Sequence, residues 1–230
     1  MKLAAMQPYF FPYLGQFHLL NQVDRWIVYD QGQFIRHGWV SRNRVLHPTE
    51  SWQYVLLPLK RHSHKAPISQ VEMYGNAWAR QVDKKLEHYH MDAPYYPQVM
   101  ALLNGAMDPN EVNLARLNIA LIRATAAYLG IDTEIIVLSE EMEHAALPSG
   151  AQQVALAICR HFGATQYVNS PGGRKLYNPL VFQQAGIGLT FQDYTPMQYV
   201  CGRYSFIPDL SILDVMMWNA PEQIKAYISA

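Results

Sequence analysis

The chain has 230 residues, half of them hydrophobic, enough for one sizeable domain or for a core domain with an inserted helical part. Its 18 basic and 18 acidic side chains cancel, which removes the long-range field that non-specific nucleic-acid binding needs. No nucleic-acid partner is expected, and any bound anion has to be held by a local cluster of donors.

Leu3 to Met6 is a short apolar run stopped by Pro8, as for a buried strand entering a turn, because proline cannot donate to a ladder. Leu14, Phe17, Leu20 and Val23 then recur at helical spacing, and Trp26-Ile27-Val28-Tyr29 gives a second strand closed by Asp30. Strand, loop, helix, strand implies a right-handed crossover between parallel strands. That places the loop after the first strand at the carboxyl edge of the sheet, where open α/β sheets bind ligands.

Trp52 to Leu57 reads as a strand ending at Pro58, and Lys60 to Lys65 as a basic loop. Asn76 is placed to cap a helix through Trp78, Val82, Leu86 and Tyr89. Pro94 and Pro97 interrupt, a helical stretch follows near Val99 to Leu103, and the longest helix runs from Glu111 to Tyr128 with Gly130 as its stop. Beyond it come a strand at Glu134 to Leu138, a helix at Gly150 to Phe162 and a strand at Gln166 to Asn169, a second parallel unit. A Gly-Gly loop, a short helix at Pro179 to Gln184, a strand at Gly188 to Phe191 and one or two terminal helices complete the pattern. The expectation is a single α/β domain over 1–230: a mostly parallel sheet with flanking helices and a helical section at about 76–129. No run approaches a membrane span, and Pro8 arrives too soon for a secretory signal, so the expected compartment is the cytoplasm.

Three segments are candidates for chemistry. In Gln7-Pro8-Tyr9-Phe10-Phe11-Pro12-Tyr13-Leu14-Gly15-Gln16-Phe17-His18, two prolines and a ring cluster stiffen the first loop, Gly15 offers close backbone approach, and the helix start favours an anion. A packed aromatic corner would give the same pattern. Asp30, at the end of the second strand, is a candidate base or orienting group, followed by Trp39, Arg42, Asn43 and Arg44, whose guanidinium forks suit phosphate or carboxylate. Ser170-Pro171-Gly172-Gly173-Arg174-Lys175 offers backbone donors beside two cations, without the spacing of a P-loop or a dinucleotide fingerprint. Lys60, Gln16 and His18 are further candidate contacts, His18 as a catalytic group. Histidines 62 and 64, and 88 and 90, lie two apart, not at the one-turn spacing of helical zinc ligands, and no metal is expected. Cys159 and Cys201 stand alone and read as reduced thiols, Cys159 on a buried helix face.

The stretch Gln7 to Gly15, with Asp24, Asp30, Phe34, Trp39, Arg42-Asn43-Arg44 and the closing Phe206-Ile207-Pro208-Asp209-Leu210-Ser211-Ile212-Leu213-Asp214, resembles the WbqC-like proteins over nearly the whole chain. That resemblance implies bacterial surface-polysaccharide gene clusters and a theme of modifying an activated sugar. The substrate it implies bears phosphate: a nucleotide sugar or an acyl or aminoacyl adenylate, with a non-catalytic sugar- or partner-binding role as the alternative. A second likeness, to nucleotidylyltransferase-type folds, rests on topology. Here Leu14-Gly15-Gln16-Phe17-His18 stands where those enzymes carry two histidines flanking a glycine.

Overall fold

A computed structural model of the chain describes residues 1–75, 77–108, 110–142 and 147–230. The cap expected at Asn76 lies outside the described residues. Five parallel strands form the central sheet: β1 (Lys2–Met6), β2 (Arg25–Val28), β5 (Glu134–Val137), β6 (Gln166–Asn169) and β7 (Gly188–Phe191), in the order β5-β2-β1-β6-β7. β3 (Arg42–Leu46) and β4 (Trp52–Leu56) form a separate antiparallel pair. Sequence periodicity finds β4 and misses β3, because Arg42-Asn43-Arg44 puts polar side chains on both faces of that strand.

The strands alternate between two cores. Ala4, Trp26 and Val28 pack on one face with Phe17 and Leu20 of α1 (Leu14–Asn21) and the helical section. Leu3, Ile27 and Tyr167 pack on the other with Val154, Ala155, Ile158 and Cys159 of α6 (Ala151–Phe162). A period-2 strand buried on both sides needs apolar residues at successive positions, as Trp26-Ile27-Val28 supplies. Cys159 is fully buried, and desolvation pushes its thiol up to about 12, so it stays a protonated packing residue.

The helical section comprises α2 (Ala77–Leu86), α3 (Tyr96–Ala106) and α4 (Leu114–Tyr128). α4 starts three residues later than its periodicity suggests, because the Asn113 side chain accepts from the Arg116 N–H and caps it there. α5 (Leu138–Glu141) follows β5 directly, α7 (Pro179–Gln184) precedes β7, and α8 (Ile212–Trp218) and α9 (Pro221–Ser229) close the chain. No helix among the described residues is long and apolar enough to cross a membrane.

Crossovers from β1 pass to β2 on one side, while β6 and β7 extend the sheet on the other. The order of strands therefore reverses between β1 and β6, and a crevice opens beyond the carboxyl ends of those two strands.

Candidate active site

Two cavities meet in that crevice. The inner one, about 430 Å³, is walled by the end of β1 (Met6, Gln7), by Tyr9 and Tyr29, by the small face of α6 (Ala151, Ala155), and by Asn169, Gly172, Gly173 and Tyr177 after β6. The outer one, about 310 Å³, is walled by Tyr13, Trp39, Asn43, Arg44 and Asp209. Met6, Tyr9 and Ser170 line both. Together they have the size of a small-molecule site with few polar groups among apolar walls.

The loop over β1 is held from outside by groups that satisfy its carbonyls. Asn43 donates to Phe10 O and Phe11 O at 3.1 and 2.7 Å, Asn118 to Pro8 O at 2.8 Å, and Ser211 Oγ to Phe11 O at 2.8 Å. Phe11 (φ 41°) and Asp209 (φ 55°) both sit in the left-handed region, which is costly for a phenylalanine and is kept only where surrounding contacts fix it. Arg44 Nη2 donates to Asp209 O at 3.2 Å, and the Ser211 N–H donates to Arg44 O, so β3 and the segment before α8 fix each other across the outer cavity.

Charge in the outer cavity is one cation and one acid. Burial raises the Asp209 carboxyl above the usual range and Arg44 pulls it back; burial, then Asp209, then Tyr9 raise the Tyr13 phenol. The inner cavity is neutral. Asn169 Nδ2 donates to the hydroxyls of Tyr167 and Tyr177, both at 3.1 Å, and its Oδ1 accepts from the Ser170 N–H at 2.7 Å. A Cβ on Gly173 would come within 2.8 Å of that Oδ1, so the glycine lets the turn after β6 close against Asn169. This turn is a 3-10 helix over Pro171–Leu176.

Of the residues singled out in the sequence, the structure gathers Gln7, Tyr9, Trp39, Asn43, Arg44, Gly172 and Gly173 around the crevice. The others lie elsewhere. Phe10 is fully buried, edge-on to Phe11. Gly15 faces the rings of Tyr13 and Tyr194: a Cβ there would collide with Tyr13 and lie 2.9 Å from Tyr194. Gln16 is buried and donates to Gln7 O at 3.4 Å. His18 lies between Gln22 and Gln192, at 3.2 and 3.1 Å, and burial lowers its pKa against the pull of Asp193.

Asp30 is also buried, and its carboxylate accepts from Ser139 N at 3.1 Å and Ser139 Oγ at 2.5 Å. It satisfies the first turn of α5, a local demand for an acceptor, and makes no ion pair with Arg42 or Arg44. Those arginines sit on the separate hairpin: Arg42 stacks on Tyr54 at 4.2 Å, while Arg44 lies over Trp39 and Trp52 and reaches the outer cavity. Lys60 is paired with Glu72 at 2.8 Å, and Arg174 lies over Phe191 at 4.8 Å.

Asn169 and Asp209 join the site without having been singled out for it, and Tyr13 and Ser170 join it from candidate segments in which neither was given a role. The Pro208-Asp209 pair is a turn signal, but nothing local says which cavity the turn borders.

One prediction follows for Gly15. Gly15→Ala lowers stability by about 1–3 kcal/mol, the usual effect of overpacking, read as a lower urea midpoint at unchanged slope. An unchanged midpoint would show that the two rings move aside freely.

Comparison with known proteins gives a family and a relative. The model of the WbqC-like protein family matches residues 7–226. A Mycobacterium tuberculosis (strain ATCC 25618 / H37Rv) protein described as uncharacterized protein Rv1507c is 29% identical over 231 residues, covering 99% of this chain and 97% of that protein. No solved structure matches, so the likeness to nucleotidylyltransferase-type folds has no structural neighbour behind it.

Proposed function

The chain belongs to the WbqC-like protein family, and from that premise we propose that it is a transferase of bacterial surface-polysaccharide biosynthesis, acting on a phosphate-linked activated donor. A nucleotide sugar or an acyl or aminoacyl adenylate fits this description. The observation that carries the reading is the placing of Arg44, which donates to the Asp209 backbone carbonyl, and of the Asp209 carboxyl at one end of a crevice whose other end is neutral and rich in tyrosine. The inner cavity takes the ring system of the donor between Tyr9, Tyr29 and Tyr177, and the outer one takes the phosphate against Arg44.

In the reaction, a hydroxyl or amine of the acceptor attacks the carbon bonded to the phosphate oxygen. That carbon–oxygen bond breaks, and the phosphate leaves with the electron pair, its charge met by Arg44. The acceptor's proton passes to Asp209, an exposed residue whose carboxyl is partly desolvated at the cavity wall, which raises its basicity toward that task. Asp30 and His18, both buried away from the crevice, act in this reading as supports for α5 and α1.

A thermal-shift screen against nucleotides, nucleotide sugars and acyl-adenylate mimics tests the proposal. A bound donor stabilises by about 2.7 kcal/mol at a hundredfold excess over its dissociation constant, and Arg44→Ala abolishes that shift while Arg42→Ala keeps it. Shifts with plain sugars alone, equal in both variants, would favour the non-catalytic sugar-binding alternative.

A further inference from the structure

The hairpin that supplies Arg44 to the crevice has a second, outward side. Among the described residues, β3 and β4 pair with each other and with no other strand. The Leu57 N–H donates to Ser41 O, so alternation along the ladder turns the backbone groups of Gln53 and Val55 toward β3. It sends those of Trp52, Tyr54 and Leu56 out the other way. The matching outward groups of β3 are taken: Arg44 O accepts from the Ser211 N–H at 2.8 Å, and the Leu46 N–H donates to the Tyr89 hydroxyl at 2.9 Å. On β4, no partner strand or side chain among the described residues takes the outward groups of Tyr54 and Leu56.

That edge opens on a groove of about 920 Å³ between β4 and α2, with Lys84 and Lys85 on the far wall. Leu56, half exposed, is shared with a second groove of about 920 Å³ that carries Arg36, Lys60 and Arg61. Five lysines and arginines thus line the two grooves against one lining acid, Glu87, and among the described residues only Lys60 of the five is paired with an acid outside the lining, Glu72; the chain as a whole, at 18 and 18, has no such excess.

We propose that the outer edge of β4 docks an extended acidic peptide segment of a partner protein, which adds as a third strand to the hairpin. Its backbone pairs with Tyr54 and Leu56, and its carboxylates meet Lys84 at one end and Arg36 and Arg61 at the other. Backbone pairing gives this mode its affinity and the flanking side chains its selectivity. A second copy of the chain is a poorer occupant, since pairing β4 with β4 about a two-fold axis sets basic walls against basic walls.

The test uses the full chain and two synthetic peptides, one alternating threonine with glutamate and one alternating threonine with lysine, with amide hydrogen exchange read residue by residue. Tyr54 and Leu56 amides exchange freely in the unliganded chain and slow by about tenfold or more with the glutamate peptide, not with the lysine peptide, and the effect fades with salt. Leu56→Pro removes one outward N–H without touching the ladder to β3, and abolishes the protection. Lys84→Glu combined with Arg61→Glu, two exposed positions, weakens glutamate-peptide binding at unchanged melting temperature. Amides already protected in the dilute unliganded chain, protection that grows with protein concentration alone, or equal response to both peptides would each overturn the proposal. None of these readouts depends on the donor proposed for the crevice.

Discussion

Tyr89→Phe lowers the stability of the fold by about 3 kcal/mol, the sum expected when one deletion orphans two buried groups. The Tyr89 hydroxyl donates to Asp214 Oδ1 at 2.5 Å and accepts from the Leu46 N–H at 2.9 Å, so its removal leaves a β3 donor unpaired and takes one of two tyrosine donors from a buried carboxylate. Tyr199 supplies the other at 2.6 Å, and Tyr199→Phe costs less because no backbone group depends on it. For a chain of this length the Tyr89→Phe loss corresponds to a melting temperature lower by roughly 6–12 °C. Arg25→Ala, which opens the exposed Arg25–Glu134 pair, stays within about 1 kcal/mol and serves as the control. A Tyr89→Phe melt that overlays the parent would mean that water replaces the hydroxyl and the network is not a structural joint.

The same carboxyl carries a pH dependence whose sign is fixed. Burial pushes Asp214 up to about 6, with the hydrogen bonds from Tyr199 and Tyr89 pulling it down. An unfolded aspartate titrates near about 3.9. The folded chain therefore holds this proton more tightly, and the resulting stability is full below about pH 4 and is lost as pH rises through about 6. Asp214→Asn removes that slope, measurable as urea midpoints at the two ends of the window.

Asp209→Asn reduces turnover of the donor found by thermal shift by about 10²–10⁴-fold, the usual range for loss of a general base, while donor affinity stays within a few-fold. Asparagine tolerates the left-handed backbone that Asp209 adopts, so the substitution removes the proton acceptor and leaves the turn. Asp209→Gly makes a second point: glycine relieves the positive φ, so stability holds or rises while turnover is lost. Parallel falls in stability and activity in both variants would assign Asp209 to the fold. Full activity in Asp209→Asn would end its role as a base.

The crevice was legible in the sequence as a place and only partly as a set of side chains. Strand, Pro8 and helix put the loop after β1 at the carboxyl edge, and Gln7, Tyr9 and the Gly172-Gly173 turn do border the cavity there. Asp30 shows the limit of that reading: it ends β2 at the same edge, yet Ser139 of α5 takes its carboxylate. A polar residue at a strand end serves whichever group lies within reach, and that group came from a position 109 residues away. Gly15 shows it again, since a glycine needed by two aromatic rings and a glycine needed by a ligand look alike in sequence.

Sequence by itself determined the elements whose hydrophobic period is strong: the apolar strands of the sheet, the amphipathic helices α4 and α6, and with α6 the burial of Cys159. These depend on contacts a few residues apart or on burial of a whole face, both written into local composition. Tertiary structure alone decided which loops meet. The strand order β5-β2-β1-β6-β7 opens the crevice between β1 and β6, and the crossing of β3 with the segment before α8 brings Arg44 to Asp209, 165 positions along the chain. Such pairings are set by packing of the whole sheet and by hydrogen bonds between distant segments, which no local pattern of residues records.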